Sequence, residues 1–285
     1  MARKKVLITV TTYPLPSRSY DELVCTAGIL EDGSWIRIYP VPLEFLKGLK
    51  KDGKLQSFKY TWIELDLKKR SDDFRPESHS PMSYSFKDME VHEKIGTEKE
   101  WAFRKKFCLN DVYTSMDALI AESKDPTNKS LATFKPTQIL GLDIEKEDRE
   151  WKKEWLDQFK QLQFSFDPKE NEEQRKPIAK LPYKFLYRFI DSDGKTRRLM
   201  IEDWEIGALF WNCMKNTDGD EKAALEQVKK KYVDEFLSSK DIHFFLGTTK
   251  EWHMRRSKNP FVIIGVFYPP KPKVTAQLRL FGNFI

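Results

Sequence analysis

Val24-Cys25-Thr26-Ala27-Gly28, the turn Glu31-Asp32-Gly33 and the run Ser34-Trp35-Ile36-Arg37-Ile38-Tyr39-Pro40 decide how this chain folds. Both runs are rich in β-branched and aromatic residues, and a short turn ending in glycine separates them, which predicts a hairpin. Alternation along the second run puts Trp35, Arg37 and Tyr39 on one face and Ile36 and Ile38 on the other. The isoleucine face is a core stripe. The Trp–Arg–Tyr face has two readings: a surface that stacks bases and pairs phosphates, or a surface covered by a second layer with Arg37 in an ion pair.

Working outward, residues 6–12 and 60–67 have the same strand composition, and Pro14-Leu15-Pro16-Ser17 and Lys51-Asp52-Gly53 punctuate the region. Short strands closely spaced by turns predict a small barrel over residues 1–90. From about residue 93 the period becomes helical. Thr97-Glu98-Lys99-Glu100 reads as a capping box, with Trp101 and Phe107 in the helix that follows. Tyr113, Met116, Leu119 and Ile120 mark a second helical face, residues 136–144 a strand, and Trp151, Trp155, Phe159 and Leu162 an amphipathic helix.

These make a helical region over 91–165, and a charged, apolar-poor stretch at 167–176 serves as linker or long loop. An α+β region over 178–272 contains a hairpin at Asp191-Ser192-Asp193-Gly194, helices near 203–215 and 220–238, and strands at 243–247 and 261–268. A tail over 273–285 follows Pro269-Pro270-Lys271-Pro272. The fold class expected is α+β, with a small OB-like barrel at the N-terminus and a mixed helical and β part after it.

A net charge of +6 suits a polyanionic partner, and 13% aromatic residues leave rings to spare for stacking platforms. Cys25, Cys108 and Cys213 lie far apart, and the four His and three Cys show no metal-ligand spacing, so neither a disulfide framework, a metal nor a cofactor is expected. No apolar run approaches a membrane span and no signal peptide is seen, which points to a cytoplasmic protein.

The Cys-x-Ala-Gly strand followed by Gly-x-Trp-Ile-Arg and a proline resembles the opening of the dual-OB-containing domain of prokaryotic proteins linked to genome conflict. The resemblance covers about the first 45 residues. It implies an oligonucleotide-binding type of barrel. At the other end, Gln277-Leu278-Arg279-Leu280-Phe281 resembles the bacterial sliding-clamp-binding motif, with Arg279 where Ser or Asp is commoner. That likeness implies that Gln277, Leu278, Leu280 and Phe281 dock in a groove on the clamp. The alternative is a last strand with Leu278 and Leu280 on one face.

Candidate phosphate and base contacts follow. Arg75 and Ser78 hold a phosphate, or Asp73 and Glu77 build a turn, in Ser71-Asp72-Asp73-Phe74-Arg75-Pro76-Glu77-Ser78-His79. Lys250, Arg255, Arg256 and Lys258 pair phosphates while Trp252 stacks, or the segment is a solvated hairpin loop with His253 a candidate base. Asp66-Leu67-Lys68 with Asp52 mimics a restriction-type Mg²⁺ site. Glu202, Asp203 and Glu205 fit a helix start.

The function expected is nucleic-acid binding, DNA favoured, in prokaryotic genome maintenance or defence. The alternatives are a metal-dependent nuclease or base-modifying enzyme, and a protein-interaction subunit of a defence complex.

Overall fold

The computed structural model describes residues 2–13, 15–16, 22–42, 50–51, 54–55, 59–83, 86, 88–153 and 179–272. Strands β1 (Ala2–Thr11), β2 (Glu22–Leu30), β3 (Trp35–Pro42), β4 (Thr61–Lys69) and β5 (Ser78–Pro81) close on themselves in the order β1-β2-β3-β5-β4, with β4 returning to β1. All pairs are antiparallel except β3 with β5. This is the five-strand OB-like barrel that the alternation predicts.

Two glycines shape the β2–β3 hairpin and its neighbour. Gly33 turns the chain at φ +86°, and a Cβ on Gly28 would lie 2.4 Å from the Leu7 carbonyl oxygen, so only glycine lets β1 and β2 approach as they do. β1 serves two partners by bending at a bulge between Ile8 and Val10. Val6, Ile8, Val24, Ile36, Ile38, Ile63, Leu65 and Leu67 fill the barrel.

Strand β6 (Glu90–Lys94) extends the sheet from β4, and α1 (Glu98–Cys108) follows. The capping box is not formed. The Thr97 side chain makes no cap bond, and Lys99, Glu100 and Trp101 run left-handed before the helix settles. That turn lets Trp101 pack edge-on to Phe267 at 5.6 Å, while Arg104 lies over the Tyr60 ring at 4.0 Å. Tertiary ring contacts overrode the local signal.

Next come α2 (Met116–Glu122), β7 (Leu131–Phe134), β8 (Gln138–Lys146), β9 (Tyr183–Ile190), β10 (Thr196–Met200), α3 (Trp204–Asn216), α4 (Glu221–Lys229), β11 (His243–Thr248), α5 (Lys250–Met254) and β12 (Phe261–Phe267). Strands β7, β11 and β12 form one sheet and β8, β9 and β10 another, joined by a bridge from Ile201 to Ile263. Beyond α4 the chain continues through a π-helical turn at Lys230–Glu235. Its buried positions, Ala224, Val228, Tyr232 and Phe236, recur every four residues. An α-helix would rotate that row off the core, and the wider turn keeps it there. All but the first three residues of the helix expected at 151–162, the linker at 167–176 and the tail with Gln277, Leu278, Leu280 and Phe281 lie outside the described residues, as does Asp52.

The outer face of β1 to β4 is covered. Leu7, Val10, Ala27, Ile29 and Trp62 pack there against Leu131, Phe245, Ile264 and Phe267 of the β7-β11-β12 sheet. Trp35 meets Phe245 edge-on at 5.2 Å. Arg37 is only 3% exposed. Its Nη1 donates to the hydroxyls of Ser130 at 2.7 Å and Ser78 at 3.2 Å, and its Nη2 to the Ser130 carbonyl at 3.2 Å. The expected nucleic-acid stripe of Trp35 and Arg37 is therefore corrected to an internal seam. The second-layer reading holds, with hydroxyls and carbonyls in place of an ion-pair partner. The reason is energetic: the apolar area of this face is worth more buried than wet, and Arg37 goes in because acceptor oxygens meet its N–H groups.

A second seam joins the halves at Lys59, whose ammonium lies 2.9 Å from Glu205 and 3.4 Å from Asp203. Asp203 also caps α3 by accepting from the Glu205 N–H, so the helix-start reading of these carboxylates holds. Burial opposes the Lys59 charge, but the two carboxylates hold its pKa well above the ordinary lysine value.

Arg37→Ala leaves buried oxygens without their donor and should cost on the order of 3 kcal/mol in urea unfolding. Arg255→Ala, on the surface, should cost under about 0.5 kcal/mol. Similar losses for the two would contradict the seam.

Candidate nucleic-acid interface

Between β4 and β5 the chain has only residues 70–77 to turn, and ion pairing fixes which side chains face in. Asp73 accepts from the Arg75 backbone N–H at 3.2 Å, from its Nε at 2.9 Å and from its Nη2 at 2.6 Å. Arg75 Nη1 donates to the Thr248 carbonyl at 2.6 Å. Lys69 adds bonds to the carbonyls of Arg75 at 2.5 Å and Pro76 at 2.6 Å. Glu77 accepts from the Ser130 N–H at 2.9 Å and hydroxyl at 2.7 Å. Arg75 and Ser78 are thus buried structural groups, and the phosphate role expected for them is corrected to the turn reading. With Asp73 and Arg75 turned inward, Phe74 between them is driven outward and is 44% exposed. Its ring rests edge-on against His253 at 4.8 Å.

The segment after β11, expected as an open loop, contains the one-turn helix α5. Thr249 caps it by accepting from the Trp252 N–H at 3.3 Å. His253 faces inward. Its Nε2 donates to the Ser123 carbonyl, so Nδ1 accepts from the Thr248 hydroxyl at 3.0 Å. Burial pushes this imidazole below its ordinary pKa. A neutral, doubly engaged ring is a strut, not the base that the sequence offered.

Trp252 stands on the opposite side, 52% exposed, beside exposed Met254. Arg255 pairs with Glu251 at 2.9 Å, while Arg256 and Lys258 are exposed with no ion-pair partner among the described residues. Arg256 also holds a left-handed backbone at φ +49°.

These two segments meet. Lys250 donates to the Asp72 carbonyl and its ammonium lies 3.9 Å from the Asp72 carboxylate. Asp72 also pairs with Arg70 at 2.5 Å. Arg70 donates to the Tyr39 carbonyl at 3.0 Å and its guanidinium sits 5.3 Å from the Tyr39 ring centroid. Tyr39, at the end of β3, keeps 38% of its surface exposed. These contacts join Tyr39, Arg70 and Lys250, and Phe74 through His253, into one strip of surface, which the chain extends in sequence through exposed Trp252, Arg255 and Arg256. Its cations outnumber its carboxylates, Asp72 and Glu251. Of the residues expected from sequence, Tyr39, Lys250, Trp252, Arg255 and Arg256 belong to these exposed segments, whereas Arg37 and Arg75 are buried and Trp35 packs on Phe245. Arg70 and Phe74 were missed, although their place in a short loop between strands was visible.

The other acidic sites offer less. Glu64, Glu90 and His92 bring ligand atoms within 4.8 Å of one another. Arg3 already pairs with both carboxylates, at 3.0 Å from Glu64. Asp66 lies 3.8 Å from the same Arg3 and Lys68 is exposed, so the acid-x-Lys pair is not gathered into a metal site among the described residues.

Burial opposes ionisation of Asp73, yet the hydrogen bonds and charge of Arg75 hold its pKa well below the carboxylate range. A depressed carboxyl contributes stability above its unfolded pKa of about 3.9 that is lost as pH falls below it. His253, also depressed, adds a loss that begins below about pH 6.5, where the unfolded imidazole takes up a proton first. Melting temperature should therefore fall in two stages on acidification. Asp73→Asn should lessen the slope below about pH 4, where other paired carboxylates such as Glu221 also titrate, and leave the earlier stage. An unchanged acid slope would contradict the assignment.

Among the described residues no helix is long and apolar enough to cross a membrane. Comparison with curated proteins finds no match. Residues 2–110, the barrel with β6 and α1, match a family model described as a domain of unknown function, DUF8758. Residues 112–284 match a second, described as a domain of unknown function, DUF8757, and since that match spans more than half of the chain, the protein belongs to the DUF8757 family.

Proposed function

We propose that the protein binds nucleic acid, with DNA favoured, through the strip that runs from Tyr39 across the β4–β5 loop to α5. The observation that carries this reading is the pair of exposed rings, Phe74 and Trp252, held on rigid segments among Arg70, Lys250, Arg255, Arg256 and Lys258. Cations supply the phosphate attraction and rings a surface for bases. Loops at this edge of an OB-type barrel are one of the places where the architecture takes oligonucleotides, which also supports it. The N-terminal resemblance gives the setting, prokaryotic genome maintenance or defence. The Gln277–Phe281 motif gives a route there: recruitment to a sliding clamp by the tail. Capture of the protein on a clamp column, abolished by Leu280→Ala/Phe281→Ala without loss of melting temperature, supports recruitment, and no capture of the parent protein removes it.

Binding is tested by fluorescence anisotropy of labelled DNA across a salt series, with and without Mg²⁺. Affinity should fall with salt at a slope of about 0.7–0.9 per phosphate contact. Arg255→Ala/Arg256→Gly should lower that slope by about 1 to 2. Because Arg256 occupies a backbone region that favours glycine, Arg256→Gly alone should raise stability by about 0.5–1 kcal/mol while weakening binding. A double variant that binds with unchanged affinity and slope contradicts the interface, and Mg²⁺-dependent cleavage of the probe would make the protein a nuclease instead.

A further inference from the structure

Two cations from distant parts of the chain meet at one exposed carboxylate. Arg70 follows β4 and Lys250 begins α5, and both reach Asp72. Arg70 Nε donates to Asp72 Oδ1 at 3.0 Å and Nη2 to Oδ2 at 2.5 Å. The Lys250 ammonium lies 3.9 Å from Oδ2 and is kept near it by its bond to the Asp72 backbone carbonyl. Neither cation needs the carboxylate to hold its place. Arg70 Nη1 is bonded to the Tyr39 carbonyl at 3.0 Å, with the guanidinium beside the Tyr39 ring, and Lys250 is anchored by backbone.

We infer that Arg70 and Lys250 form a phosphate site that Asp72 holds closed as a stand-in anion, and that a backbone phosphate of the nucleic acid displaces it. The inference rests on the strip being a nucleic-acid interface and adds which pair of cations receives a phosphate and what regulates it. The Nε–Nη2 edge of a guanidinium takes two phosphate oxygens in the same fork in which it takes a carboxylate, and the ammonium adds a point charge. A phosphodiester carries the same single negative charge as Asp72, so the exchange leaves the local balance of charge as it was. Displacement costs little here. The Asp72 side chain is 61% exposed, and exposed ion pairs contribute little to stability. Asp73 beside it is buried against Arg75 and has no such freedom. Asp72 still competes at neutral pH, because hydrogen bonds from Arg70 hold its carboxyl below the ordinary carboxylate range.

A double-mutant cycle read by anisotropy of labelled DNA over a salt series tests this, with the parent protein, Asp72→Asn, Lys250→Gln and the double variant. Asp72→Asn should bind about twofold to fivefold more tightly, the contribution of an exposed ion pair that no longer competes. Its salt slope should steepen by about 0.7–0.9, as expected for one more phosphate contact. In the parent, Lys250 only exchanges one anion for another, so Lys250→Gln should cost less there than in the Asp72→Asn background, where it should remove most of the gain. Melting temperatures verify that each variant is folded, and Asp72→Ala replaces Asp72→Asn if that one is not. An Asp72→Asn protein with unchanged or weaker affinity overturns the inference while the interface stands. So does a Lys250→Gln loss that is equal in the two backgrounds, because Asp72 then acts only by its charge at a distance. Failure of all these proteins to bind DNA at low salt overturns the interface and the inference together.

Discussion

The buried guanidinium of Arg37 is the constraint on which the rest of the structure depends. It crosses from β3 of the barrel to Ser130 at the start of β7, and Glu77 returns the connection from the β4–β5 loop to the same serine. Arg75 makes the parallel link from that loop to Thr248 at the end of β11. Around these charges, Trp35, Phe245 and Phe267 supply the apolar area that makes the seam dry. Low dielectric strengthens each of these bonds and makes each costly to break, so barrel and second sheet are held in one register.

The seam decides where a ligand can go. A five-strand barrel of this kind ordinarily offers the outer face of its second and third strands. Here that face is spent on the protein's own C-terminal sheet. What remains is the rim, where β3 ends in Tyr39 and the β4–β5 loop meets the turn after β11. The same bonds that bury Asp73 and Arg75 push Phe74 out, and the same turn that buries His253 leaves Trp252 in water. The candidate surface is therefore a by-product of the seam, built half from each side of it.

The barrel was legible because alternation and glycine placement are local signals: Ile36 and Ile38 face inward as their spacing requires, and Gly33 turns the hairpin. The role of Trp35 and Arg37 was not, because the residues that cover them, Ser130 and Phe245, are distant in sequence and nothing in β3 names them. Thr97 to Glu100 carried a local capping pattern that lost to the packing of Trp101 on Phe267. Among the site residues, Lys250, Trp252, Arg255 and Arg256 stood out as a basic, aromatic run, but only the fold brings Phe74 and Arg70 beside them.

Photo-cross-linking to a single strand carrying a halogenated pyrimidine, with the linked peptides identified by mass spectrometry, tests the central claim most directly. A sealed barrel face and an open rim predict cross-links at Phe74, Trp252 or Tyr39 and none at Trp35. A cross-link at Trp35, or peptides confined to β2 and the middle of β3, would show that the seam opens for nucleic acid and would contradict the account.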